Sequence, residues 1–317
     1  MVYFTRNLLW KLGKWENKIL QDWIEGFSPD AVFFAAGDYS FSYEVACKIC
    51  KDRKLPLYLY FCDDFFFGGY PAKGFLGRYN YKRLLKTATM AIKDSAGYFC
   101  ISEPMSKLYA EAFGKPGKIA HTAASFCKES VLPINARVRR IIYAGNIDCG
   151  RAQQLIMVGR ALKACADCEI REIQVYSAET RSELLKEMNA ANGIRFCGFA
   201  SAQTIQQLLG NSMFALHVES FDPEKTLRVK YSVSTKIADA LESGVCVIAI
   251  GPRQLASIKY LDENKAAFII DEERDLVNKL QTILHNDSLQ MRITKNARIL
   301  ARCNHTQENS QKVVYSI

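Results

Sequence analysis

The 317-residue sequence has no apolar run approaching the roughly 18 residues that a membrane-crossing helix requires. Its first residues, MVYFTRNLLW, lack the charged-then-apolar order of a secretory leader. These two absences lead to the expectation of a cytoplasmic protein, or one working at the inner face of the membrane. Neither G-x-G-x-x-G nor G-x-x-x-x-G-K-[ST] occurs, so the dinucleotide fingerprint and the P-loop are both unsupported. There is no RNP-like aromatic motif, zinc finger or dense Lys/Arg block, and nucleic acid is not expected as a partner. Internal repeats and low-complexity segments are missing too. Histidine is scarce: of four residues, only His121 and His217 fall where chemistry could use them.

Cysteine is present without an evident framework. Eleven residues, an odd number, lie scattered through expected strands and helices, which fits a reducing compartment and buried thiols. Two pairs have metal-like spacing, Cys47-x-x-Cys50 and Cys165-x-x-Cys168. They stand far apart in the chain, each within a helical pattern and without the second pair or histidines that zinc sites add. No metal site is expected.

The net charge is +9. Residues 1–137 carry 19 basic and 13 acidic side chains, and the remainder carries 23 and 20, so the excess lies in the first part. Such a bias suits anionic ligands or an anionic surface.

Hydrophobic periodicity predicts a helix over residues 5–25, with Leu8, Leu12, Trp15, Ile19 and Trp23 on one face and Lys11, Lys14 and Lys18 on another. Packing of that apolar face on a sheet is the expectation. A tryptophan-bearing basic helix at a membrane interface is the competing one. Strands are then expected at Ala31–Ala36, Leu55–Cys62, Gly97–Ile101 and Lys118–His121, with helices at Phe41–Lys51, Asn80–Ser95 and Pro104–Phe113. Phe65–Gly77 reads as a loop. The polar stretch Ser125–Arg137, with Pro133, reads as a linker.

The alternation then restarts. Strands are expected at Arg140–Ala144, Glu172–Ser177, Ile194–Cys197 and Met213–Val218, and helices at Arg151–Ala164, Thr180–Asn189 and Ala202–Leu209. Alternating strands and helices predict parallel sheets covered on both faces. The expected fold class is α/β, two Rossmann-like doubly wound domains. The expected divisions are 1–133, 138–288 and a helical 289–317 returning toward the first domain. Two such halves imply a ligand site beyond the strands' carboxyl ends.

The most specific segment is YSVSTKIADALESGVCVIAIGP, Tyr231 to Pro252. Ser234 and Thr235 are N-cap types, Gly244 suits a helix stop, and Val245–Ile250 reads as a buried strand. Hydroxyls and Lys236 at a helix N-terminus suit a phosphate, because unpaired N–H groups and the helix dipole both point at it. A second βα turn, Tyr143-Ala-Gly-Asn-Ile-Asp-Cys-Gly-Arg151, offers Gly145 and Gly150 for close backbone approach and Arg151 as a fork. Together the two turns suggest a diphosphate clamp.

At these residues the chain resembles the nucleotide-binding domain of GT-B glycosyltransferases of the E-x7-E, family 4-like group. Four landmarks match in order: the Y-x-G loop with Arg151 downstream, F-C-G-F at Phe196–Phe199, a strand ending in Glu219, and S-T-K-I-A-D-A-L-E-S-G. The resemblance implies Gly145, Asn146 and Arg151 facing a donor diphosphate, with Ser234, Thr235 and Lys236 opposite. It implies Asp239 on the ribose, Glu219 near the donor sugar, and Cys197 to Phe199 reading the base edge. The implied co-substrate is a UDP- or GDP-sugar, with no further cofactor. The implied acceptor is a glycan or lipid-linked molecule of bacterial surface polysaccharide synthesis, met by peripheral contact with an anionic membrane. A retaining hexosyl transfer is the implied reaction.

The chain departs from the family pattern at three points. Glu219 and Asp239 stand 20 positions apart rather than eight, the second carboxylate is aspartate, and the first domain lacks its opening βα units. The expected first domain is therefore incomplete at its N-terminus, and a non-catalytic nucleotide-sugar-binding remnant is the alternative. Asp63, at a strand end beside Asp64, is a second candidate catalytic carboxylate for binding acceptor or acting as a base. Capping or loop solvation is the competing reading there. His217 reads as a buried strand residue.

Overall fold

The computed structural model describes residues 2–68, 74–125, 131–166 and 168–316. The chain divides into two compact units, Met1–Ala120 with Val313–Ile317, and His121–Lys312.

The first unit runs α1 (Val2–Leu12), α2 (Lys18–Phe27), β1 (Val32–Ala35), α3 (Ser40–Arg53), β2 (Leu57–Phe61), α4 (Gly74–Asp94), β3 (Gly97–Cys100), α5 (Glu103–Phe113) and β4 (Lys118–Ile119). Its four strands pair in parallel in the order β1-β2-β3-β4. Parallel neighbours need crossovers, and helices α3, α4 and α5 supply them. Phe61, Phe66, Tyr98, Tyr109 and Phe113 are buried, and Phe61 meets Tyr109 edge-to-face at 5.1 Å. Asp64 lies beneath this cluster, accepting from the Phe66 and Phe67 amides and from the Tyr109 hydroxyl at 3.1 Å. Asp64 is therefore a loop cap.

Two expectations fail in this unit. The single helix over residues 5–25 is two helices. The chain turns at Gly13, whose amide reaches Leu9 O, and Asn17 starts α2 by accepting from the Leu20 amide at 2.9 Å. The break interrupts the apolar stripe, and the buried positions are Asn7 and Ile24. Leu12, Ile19 and Trp23 stand 73%, 80% and 65% exposed, so the expected apolar face does not pack on a sheet among the described residues. Of the expected loop Phe65–Gly77, residues 74–77 open α4, and residues 69–73 lie outside the described residues.

The second unit contains β5 (Val138–Ala144), α6 (Arg151–Ala164), β6 (Ile173–Tyr176), α7 (Ser182–Leu185), β7 (Ile194–Gly198), α8 (Ala202–Asn211) and β8 (Ser212–Val218). It continues through α9 (Pro223–Thr226), α10 (Lys236–Ser243), β9 (Cys246–Ile250), α11 (Ala256–Glu263), β10 (Phe268–Ile270), α12 (Leu276–Leu284) and α13 (Asp287–Asn304). Helix α14 (Gln307–Val314) crosses the division between the units. The six strands are parallel in the order β10-β9-β8-β5-β6-β7. Winding therefore reverses between β5 and β8, the topological switch of a doubly wound sheet. Strand β9, CVIAI, is buried at every residue, as a central parallel strand covered on both faces must be.

Helix α6 lies so close to the turn before β7 that a Cβ on Gly159 would stand 2.2 Å from Asn192 O. Only glycine permits that approach. The expected helix Thr180–Asn189 shrinks to α7, because Glu179 Oε1 accepts from the Thr180 and Arg181 amides and turns the chain there.

Within the expected linker, residues 126–130 lie outside the described residues, and Ile134–Ala136 forms a 3-10 turn. Arg137 is buried at its end, its guanidinium donating to the carbonyls of Leu132, Leu209 and Ser243. Helix α13, within the expected tail from residue 289, packs on α10 and β9 of the second unit, whereas Val313–Ile317 group with the first.

Candidate functional site

At the switch between β5 and β8 the second unit opens a cavity of about 730 Å³. Gly145, Asn146, Tyr176, Phe199, Lys236 and Asp239 line it. A smaller space of about 80 Å³ adjoins it, lined by Arg151, His217, Glu219 and Ser234. Asn146 and Lys236 line both. The fold thus brings together the loop after β5, the end of β8 and the start of α10.

Lys236 is the first residue of α10, and its Nζ lies 3.0 Å from the point a Cβ on Gly145 would occupy. Gly145 therefore leaves room for the ammonium. Lys236 has no hydrogen-bond or ion-pair partner among the described residues. Burial, and then the nearby Arg151, lower its pKa. An ammonium without an ion-pair partner among the described residues, in the field of a second cation, favours an anion beside it.

Thr235 is the N-cap of α10 but is itself helical, and its hydroxyl makes no capping bond. The expected side-chain cap is thus absent, and Ser234 contributes its carbonyl to the Ile237 amide instead. A helix start with no side-chain cap leaves N–H groups available at the cavity. Gly244 ends the helix at φ 66°, as expected for a left-handed stop.

Arg151 does not stand free as a diphosphate fork. Its Nε and Nη2 donate to the two Glu219 carboxylate oxygens at 3.0 and 2.8 Å, and Nε also reaches Val218 O at 3.2 Å. Glu219 is 3% exposed, so the carboxylate expected near a donor sugar is enclosed and engaged at both oxygens. Burial pushes the Glu219 carboxyl up, against the pull of Arg151. Gly251, at the end of β9, packs directly on Glu219. Gly150 precedes α6 at φ 79°, where a Cβ would collide with Ser220 Oγ.

His217 lies one residue before the end of β8, largely enclosed but the one residue of that strand that is not fully buried. Its Nε2 pairs with Ser257 Oγ at 2.9 Å, and Glu219 Oε1 lies 3.8 Å away. Burial, then Arg151 and Lys236, push its pKa down to about 3. The imidazole is therefore neutral in the folded chain near neutral pH.

The other candidates are placed unevenly. Asn146 turns its carboxamide oxygen onto the Asp148 amide and lends its carbonyl to the Tyr143 hydroxyl, so it shapes the loop as well as lining the cavity. Phe199, 78% exposed, lines the large cavity. Cys197 is absent from that lining, its thiol directed to Arg195 O at 3.5 Å. Asp63 belongs to the first unit, exposed beyond the end of β2.

Sequence reasoning missed Arg181 and Ser125. Arg181 pairs with Asp148 and Glu179 at the cavity, holding Glu179 down to about 2. Ser125 engages Asp239, its amide donating to Oδ1 at 2.6 Å and its hydroxyl to Oδ2 at 3.1 Å. No local pattern signals the Arg181–Asp148 or the Ser125–Asp239 contact, since those partners are distant in sequence.

No family model matches the chain, and no curated protein sequence does. Solved structures do. A complex of S. aureus TarM with Fondaparinux, alpha-GlcNAc-glycerol and UDP shares 14% identity at TM-score 0.67, over 93% of this chain and 57% of that one. WaaG, a glycosyltransferase involved in lipopolysaccharide biosynthesis, shares 13% at TM-score 0.61, over 88% and 82%. Anabaena HepE in complex with UDP and glucose shares 14% at TM-score 0.66, over 97% and 82%. The chain thus has the GT-B glycosyltransferase fold and spans little more than half the length of the TarM chain.

Proposed function

We propose that this chain is a nucleotide-sugar-dependent glycosyltransferase whose second unit holds the donor. The observation that carries this is Lys236: an ammonium with no anionic partner among the described residues, over Gly145, at a helix start without a side-chain cap, in a cavity large enough for a nucleotide sugar. The UDP bound in the TarM and HepE structures supports the same ligand class.

In this reading Lys236 and the first amides of α10 take up the charge that grows on the departing diphosphate. Fixed cations and amides stabilise that charge without reorganising, and so lower the barrier to glycosyl transfer. Asp239 accepts from the ribose hydroxyls and Phe199 stands beside the base. The Arg151–Glu219 pair forms the rigid wall of the smaller space, with Arg151 adding positive potential toward the diphosphate.

The proposal extends to a glycan or lipid-linked acceptor of bacterial surface polysaccharide synthesis, as WaaG's role in lipopolysaccharide suggests. Hexosyl transfer with retention, and a UDP- or GDP-sugar as donor, complete it. Peripheral contact with an anionic membrane is part of it. No described helix is long and apolar enough to cross a membrane, while α1 and α2 expose Leu12, Ile19 and Trp23 beside Lys11, Lys14 and Lys18.

The test is calorimetric binding of UDP, GDP and their sugars to the chain and to Lys236→Ala. Wild type should bind at least one of them, and the variant should bind about 10- to 100-fold more weakly, the loss of a charged hydrogen bond and its field. Equal binding by both proteins would remove the assignment. A binding-only role is the second reading, favoured by the engagement of both Glu219 carboxylate oxygens with Arg151. Sugar transfer or donor hydrolysis by this chain decides against it.

A further inference from the structure

We infer that Ser125 is a positioning residue of the donor site, fixing the Asp239 carboxylate so that it selects a ligand with a vicinal diol. This rests on the reading of the cavity as a nucleoside-diphosphate site.

Asp239 lines the large cavity beside Lys236 from the first turn of α10. A carboxylate there could rotate, offering either oxygen to water. Ser125 prevents this with two donors from one residue, its amide on Oδ1 at 2.6 Å and its hydroxyl on Oδ2 at 3.1 Å. Each oxygen takes one bond from Ser125 and keeps acceptor capacity, since an ionised carboxylate has about four lone-pair sites. The carboxylate is thereby locked with one acceptor position per oxygen for a ligand. Two adjacent hydroxyls, each donating once, match that demand, and a 2′-deoxyribose does not.

The lock has its own support. Ser125 directly follows residues pinned by the C-terminal end of α13. The Ala124 amide donates to His305 O at 2.8 Å, and His305 Nδ1 pairs with Thr122 O at 2.7 Å. His305 is 3% exposed and is held in turn by the Tyr260 hydroxyl at 2.9 Å. A group already held in place loses little entropy when a ligand arrives, which is how positioning improves selectivity.

The experiment uses whichever of UDP and GDP binds more tightly, its 2′-deoxy counterpart and inorganic pyrophosphate, by calorimetry on the full chain. Wild type, Ser125→Ala, Ser125→Thr and Asp239→Asn are compared, with melting temperatures alongside. Ser125→Ala should reduce the preference for ribose over deoxyribose by about five- to tenfold, the scale of one hydrogen bond to a charged group. Its pyrophosphate affinity and melting temperature should stay at the wild-type values. Ser125→Thr should restore the preference, and Asp239→Asn should abolish it.

If Ser125→Ala keeps or raises the ribose preference, Ser125 does not position Asp239. If the variant loses pyrophosphate binding and stability together, its role is structural and the inference is overturned. If wild type binds neither nucleotide nor pyrophosphate, the donor-site reading itself is wrong.

Discussion

Arg151, the first residue of α6, and Glu219, just beyond β8, form a two-pronged ion pair at 2.8 and 3.0 Å inside the second unit. The pair crosses the point where the sheet's winding reverses, tying the loop after β5 to the end of β8. Glu219 therefore belongs to the wall of the site. Removing one partner leaves a buried charge unmatched, which costs about 3–5 kcal/mol.

Glu219→Ala should accordingly lower stability by about that amount, some 10 °C in melting temperature for a unit of this size, with or without nucleotide. Thermal unfolding followed by circular dichroism measures it. A catalytic role free of structure predicts the reverse, lost turnover with an unchanged melting temperature, and that outcome would contradict the wall assignment.

His217 sets a pH dependence. Its folded pKa is about 3 against an ordinary 6.5, so unfolded chains bind the proton more readily. The stability it contributes is complete above pH 6.5 and drains away as pH falls toward 3. By pH 5 the loss should be about 2 kcal/mol, by linkage from the unfolded value. Glu219, raised by burial, acts in the opposite sense, gaining relative stability as pH falls through the carboxylate range. The comparison is therefore between wild type and His217→Gln across pH 7.5 to 5, where the variant's melting temperature should fall less. Parallel curves would show that His217 is not the group responsible.

The α1–α2 surface predicts a lipid dependence. Sedimentation with vesicles containing about a third anionic lipid should retain the chain at low salt and release it as salt screens the lysines. Trp23→Ala should weaken retention several-fold, because a half-inserted indole contributes a large share of interfacial affinity. Neutral vesicles should bind poorly. Equal binding to neutral and anionic vesicles, or none to either, would remove the membrane part of the proposal.

The second unit was the more legible part of the chain. Arg151–Ala164 forms the helix its apolar spacing predicts, and CVIAI forms a buried parallel strand because no polar residue interrupts it. Gly145 and Lys236 were found from local rules about glycine turns and helix starts, and they meet. The first helical stretch departs from expectation because apolar spacing at 3.6 residues persists across Gly13 and Asn17, while the helical backbone does not. Thr235 departs from expectation because a good N-cap residue type does not ensure capping geometry. Asp63 and Asp64 differ for a reason one position of sequence cannot express: only Asp64 turns inward, to the Tyr109 hydroxyl.

By itself the sequence determined the alternation of strands and helices and placed glycines and basic residues at two βα turns. Those follow from burial periodicity and from residue types, both local matters. Tertiary structure alone decided that Arg151 pairs with Glu219, that Lys236 has no partner among the described residues, and that Ser125 holds Asp239 from 114 positions away. A charge's role depends on which opposite charge the fold brings within reach, and that is set by the packing of the whole sheet.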